Sequence, residues 1–271
     1  MKLLAPLTLL GTALLTLQSV AAPNVVASIK PLHSLVAAVM VGVDEPTLIV
    51  RGAASPHNYA LKPSDAAALE TADIVFWTGH GMELFLADAL ETLAAGATVI
   101  ELAETPGIEL LPVREGGAFE AHMHEGQDHD HDHDHEHEHE HGEGDMHFWL
   151  DPHNAALMVT EIAATLSEAD PENAAAYTAN AETQVAALAT LESELVGTLA
   201  PIKDRPFIVF HDAYQYFEAR FGLNLAGSIT VSPDIAPGVA RIDELRAHIA
   251  ELGALCVFAE PNFQPAIIGA I

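Results

Sequence analysis

The chain has 271 residues, half of them apolar, enough to bury a large core as one domain or as two lobes. Its formal net charge of -29 at pH 7 comes from 39 acidic against 10 basic side chains. Such a balance excludes a polyanionic partner such as nucleic acid and makes a metal cation a natural one.

Residues 1–21 read as a secretory signal: Lys2 precedes an apolar run from Leu3 to Leu17, small residues follow, and cleavage is expected after Ala21. The run is too short for a membrane span, and no cysteine follows it that could carry a lipid. Residues 22–114 then alternate short apolar runs with amphipathic segments, the pattern of a parallel sheet with crossover helices. "NVVASI", "PTLIV", "DIVFWT" and "ATVIEL" read as strands. "PLHSLVAAVM", "SDAAALETA" and "MELFLADALETL" read as helices, with Ser64 as the expected cap of the second.

Residues 115–145 break the pattern, with twelve carboxylates and no lysine or arginine. Nine histidines alternate with them: His122, His124, His129, His131, His133, His135, His137, His139 and His141. A His-x-His pair in an extended chain places two imidazoles on one face about 7 Å apart. Many equivalent registers and no apolar residue to select one predict a disordered loop that holds several ions weakly, as auxiliary sites for metal capture or sensing. An inert acidic spacer is the alternative.

Order returns at "MHFWLDP", and residues 146–203 are expected to complete the first lobe and supply a long connecting helix from Pro171 toward Leu199, with Asp170 as its N-cap. A second βα series occupies residues 204–271, so the fold class is α/β, two Rossmann-like lobes joined by a long helix, with ligands expected where strand ends face a cleft. The single Cys256 has no partner in the chain, and no helix follows "FQPAIIGAI". An exported chain with this ending reads as truncated in its second lobe, its other cysteine lying downstream; a buried free thiol in a complete protein is the alternative.

Three further histidines sit at strand edges or loop mouths: His57 in "GAASPHNYALKPSD", His147 in "MHFWLDP" and His211 at the end of "FIVFHD". Each alone reads more readily as a hydrogen-bonded loop or core residue, but together, drawn from both lobes, they suit a cleft metal. His33 near the cleft, and Glu260 at the end of "VFAE" as a hydrogen-bond partner for a ligand histidine, are weaker candidates. His80, His153 and His248 read as turn or helix-surface positions.

The segments "ASPHNYALKPSD", "MHFWLDP", "FHDAYQYFEARFGL", "GSITVSPDIAPGVARIDELR" and "CVFAEPNF" resemble the periplasmic high-affinity zinc-binding components of zinc ABC importers, within the cluster of metal receptors that have a rigid linking helix. The resemblance covers essentially the whole chain after the signal. It implies His57, His147 and His211 as Zn2+ ligands, water as the fourth, a periplasmic location, and delivery of zinc as cargo to an inner-membrane ABC permease with its cytoplasmic ATPase. It also implies a monomeric, non-enzymatic receptor and a cysteine beyond Ile271 that pairs with Cys256. His211, where manganese-binding relatives place a carboxylate, suits zinc, which accepts all-nitrogen sites. A receptor for manganese or nickel, a zinc buffer and a secreted zinc hydrolase are the alternatives. A hydrolase needs a base beside its zinc-bound water, and no His-Glu-x-x-His sequence lies on a segment that reads as a helix.

Overall fold

The apolar run "NVVASI" forms strand β1 (Val25–Ala27), wholly buried, at the centre of a four-stranded parallel sheet. Its neighbours are β2 (Thr47–Leu48) on one side and β3 (Ile74–Trp77) on the other, with β4 (Thr98–Glu101) at the edge, giving the order β2-β1-β3-β4. Every residue of β3 is buried while β4 starts exposed, as expected of a central and an edge strand. The computed structural model describes residues 21–114, 144–230, 239–252 and 256–260, so the nine tract histidines from His122 to His141 and residues 1–20 of the signal segment lie outside the described residues.

Crossovers α1 (Lys30–Val39), α2 (Pro63–Glu70) and α3 (Leu84–Leu93) link these strands in the expected order. The cap of α2 differs from expectation. Pro63 occupies the first turn, and the Asp65 carboxylate accepts the Lys62 backbone N–H at 3.0 Å, so Lys62 is the N-cap and Ser64 lies inside the helix. The proline, which lacks an N–H, needs no cap there.

Helices α4 (Pro152–Ala169) and α5 (Ala174–Leu199) form an antiparallel pair against α1. The connecting helix begins at Ala174 rather than Pro171. Asp170 closes α4, and its carboxylate accepts from Asn173 Nδ2 at 2.7 Å and the Tyr177 hydroxyl at 2.9 Å. A cap residue followed by proline reads as a helix start, but here it organises the turn between two helices. The 26 residues of α5 extend about 39 Å. Tyr177 and Ala181, near its start, are buried and Val185 and Leu188 pack on the same core, so its first half is anchored in the first lobe and the rest runs on toward the second.

The second sheet is also parallel, in the order β6-β5-β7: β5 (Phe207–His211), β6 (Leu225–Thr230) and β7 (Val257–Phe258). Helices α6 (Gln215–Phe221) and α7 (Val239–Leu252) accompany it. Among the described residues its buried apolar centre is Ile208, Phe210 and Ile229, while the first-lobe core is built around Leu32, Phe76, Phe148 and Met158. Cys256 is exposed among the described residues. No helix among the described residues is long and apolar enough to cross a membrane.

Candidate metal centre

His57 lies in the loop that follows β2, and that loop is fastened on both sides. The Lys30 ammonium donates to the Gly52 carbonyl, and the buried Tyr59 hydroxyl donates to Asp65 at 2.8 Å. His57 itself keeps an exposed surface, yet its ring centroid stands 5.5 Å from that of His147 and 5.8 Å from that of His211. His147 is set by the residues after it: Phe148, fully buried, starts a single 3-10 turn (Phe148–Leu150), and Trp149 packs 5.4 Å from the imidazole. His211 ends β5 opposite Thr230 of β6 and is buried, its ring 5.4 Å from that of His147.

The structure therefore brings all three predicted histidines to one point, and one ring nitrogen from each lies within 4.8 Å of the others. Two nitrogens on a tetrahedral zinc are about 3.3 Å apart, given Zn–N bonds of about 2.0–2.1 Å. A small inward movement of the side chains closes that difference. Around them is a mostly apolar pocket of about 280 Å3, bounded by Ile29, Val50, Met82, Leu150 and Ala213.

A carboxylate stands behind each of the two less exposed imidazoles. Nδ1 of His147 lies 2.7 Å from Asp145 Oδ1, which also accepts the His147 backbone N–H at 2.9 Å. Nδ1 of His211 lies 2.9 Å from Glu260 Oε1, which in turn accepts the Tyr214 hydroxyl at 3.1 Å. An imidazole that gives its Nδ1–H to a carboxylate presents Nε2 as the lone-pair donor, so the Asp145 contact orients the His147 ring for a metal, and the Glu260 carboxylate stands close behind His211. Burial acts to raise the Glu260 carboxyl, but the hydrogen bond and charge of His211, with help from Tyr214, leave it below the ordinary carboxylate range. Burial and the Glu260 charge push the Tyr214 phenol up, so its proton stays available to that contact.

Glu260 was legible in the sequence as a partner for a ligand histidine; Asp145 was not. The acidic segment was expected to run through Asp145, but Asp145 is 7 % exposed and its N–H donates to the Leu111 carbonyl at 2.7 Å. Gly144 forms an antiparallel bridge with Pro112, so the packed structure resumes at Gly144. The only sequence signal was position, two residues before a candidate ligand. Truncating Asp145 to alanine should weaken zinc binding by about 10–100-fold, the usual cost of losing a partner behind a ligand, as measured by titration against a chelator of known affinity.

Burial, reinforced by the positive charge that His147 and His211 carry when protonated, lowers the His57 pKa to about 3. Between about pH 6.5 and 3 the unfolded chain then binds a proton here that the folded chain does not. His57 therefore contributes stability that declines as pH falls through this window. An NMR titration of the metal-free protein should find the His57 ring neutral down to about pH 4, and zinc binding at pH 6 should displace no proton from it. A ring that titrates near its ordinary value would contradict this.

Among the described residues, His33, His80 and His153 lie outside the cluster. His33 Nε2 contacts the Pro46 carbonyl at 3.0 Å, so it has no part in the site, while His80 packs on Trp77 and pairs with Glu101 at 3.1 Å. His153 is an exposed residue of the first turn of α4.

The chain is 54% identical over 262 residues to the high-affinity zinc uptake system protein ZnuA of Brucella abortus (strain 2308), covering 90% of this chain and 78% of that one. It is 39% identical over 255 residues to the protein of the same name from Yersinia pestis, covering 93% and 80%. Among solved structures, the laminin binding protein Lmb of Streptococcus agalactiae, described as an adhesin with metal transporting activity, superposes with a TM-score of 0.74 over 92% of this chain and 84% of that one. At 24% identity this last likeness speaks for the two-lobe fold alone. Residues 25–271 match the model of the zinc-uptake complex component A, periplasmic, and the chain belongs to that family, ZnuA.

Proposed function

We propose that His57, His147 and His211 are the protein ligands of the zinc ion that this chain, by its family a zinc-binding receptor for ABC-type zinc uptake, captures between its lobes. The observation that carries the reading is the meeting of three imidazole nitrogens from a loop, the start of a 3-10 turn and a strand end, two of them backed by carboxylates. An all-nitrogen set suits a borderline-soft ion. The negative charge that three neutral imidazoles lack is supplied one bond further out by Asp145 and Glu260, which balance a divalent ion without binding it. Water completes the coordination.

In this reading residues 1–21 direct export to the periplasm, and a monomer hands zinc to an inner-membrane permease driven by its ATPase. The family is one of solute-binding receptors. Among the described residues, Asp145 and Glu260 each turn one carboxylate oxygen to an imidazole of the cluster, an arrangement that suits a receptor holding its ligands in place. Elemental analysis of the purified chain after exhaustive dialysis should find one retained zinc, and its expression should restore growth under zinc starvation to cells lacking their own receptor. Retention of another metal, or of none, would overturn the reading.

A further inference from the structure

The second lobe reaches the first through α6, and one residue of that helix behaves differently from the rest. Tyr216 is 4 % exposed, and its ring packs into the buried core of the first lobe rather than that of its own. Its hydroxyl accepts the Leu111 N–H at 2.8 Å and donates to the Asp145 carbonyl at 2.6 Å. Leu111 and Asp145 are themselves joined by the Asp145 N–H to Leu111 carbonyl bond, so the hydroxyl completes a closed set of three hydrogen bonds. From Asp145 the path is one contact long: the same residue's carboxylate holds both the backbone N–H and Nδ1 of His147.

We infer that Tyr216 is a positioning residue for zinc capture, tying the seating of the second lobe to the orientation of His147 by way of Asp145. A movement that lifts α6 from the first lobe withdraws the hydroxyl, frees the Asp145 backbone and lets the His147 ring turn away from the ion. Release of zinc is thereby coupled to lobe separation at a point that does not touch the metal. The coupling is reciprocal: whatever steadies His147 also steadies the α6 seam. This inference rests on His147 being a ligand, as proposed above.

Tyr216→Phe keeps the ring and removes the hydroxyl. It should weaken zinc binding about 10-fold, the lower end of the range for a partner behind a ligand, chiefly through faster dissociation to a competing chelator. Asn180→Ala supplies the stability control, since it deletes hydrogen bonds to the Val39 and Val41 carbonyls on another face of the first lobe. Zinc affinity equal to the parent's in Tyr216→Phe, or lost equally in Asn180→Ala, overturns the positioning role. His147→Ala separates the two readings. If it binds zinc as the parent does, the ligand assignment fails; if it loses zinc while Tyr216→Phe does not, the Tyr216 coupling alone fails. A second measurement needs no Tyr216 variant: in metal-free protein, the Leu111 amide should exchange hydrogen faster in His147→Ala than in the parent. Equal exchange overturns the coupling.

Discussion

Alanine in place of His211 is expected to remove stoichiometric tight zinc binding. The loss should exceed the 10–100-fold typical of a partner behind a ligand, because His211 is the one ligand of the proposed set that the second lobe supplies. It ends β5, and without it any ion held by His57 and His147 touches the first lobe alone. A 100-fold weaker site forgoes about 2.7 kcal/mol of zinc-linked stabilisation at a fixed zinc concentration. Thermal unfolding with and without zinc should therefore show the parent's zinc-dependent rise in Tm largely abolished in the variant. Parental affinity in His211→Ala would remove the basis for a site between the lobes.

Excision of residues 115–143, with Arg114 joined to Gly144 through a short glycine-serine linker, is expected to act in the opposite way. One tight zinc should remain, with its affinity within a few-fold of the parent's, while the weak sites expected of the nine tract histidines disappear. Calorimetric titration, with and without a competing chelator, separates the two classes. Loss of the tight site would mean that the tract contributes ligands to it. The cut preserves Arg114, whose guanidinium bridges Asp212 and Glu218 of the second lobe. It also preserves the Leu111–Asp145 pairing at the base of the insert.

The three cluster histidines were legible in the sequence because His211 closes an apolar run, His147 opens one and His57 sits in a loop bounded by glycine and proline. Strand ends in parallel sheets are where such side chains converge. The strands and crossover helices were legible for the same reason, since parallel strands buried on both faces leave uninterrupted apolar runs such as "IVFW". Asp145 was hidden by its surroundings: in a run of interchangeable carboxylates, composition gives no sign that the last one is buried. Tyr216 was hidden by distance, since its partners Leu111 and Asp145 lie 105 and 71 positions away in the chain. The start of α5 was misplaced because Asp170-Pro171 carries the local signal of a helix N-terminus, and only the packing of Tyr177 onto Asp170 shows that it serves the turn before it.

The bridge between Pro112 and Gly144 has an evolutionary consequence. With its stem tied shut, the insert can lengthen or shorten while the neighbouring coordination geometry stays as it is. Doubling the length of a closed loop adds only about 0.6 kcal/mol of closure entropy. Repeat number between those two residues is thus free to drift, and homologues differing widely there should share the same ion-binding core.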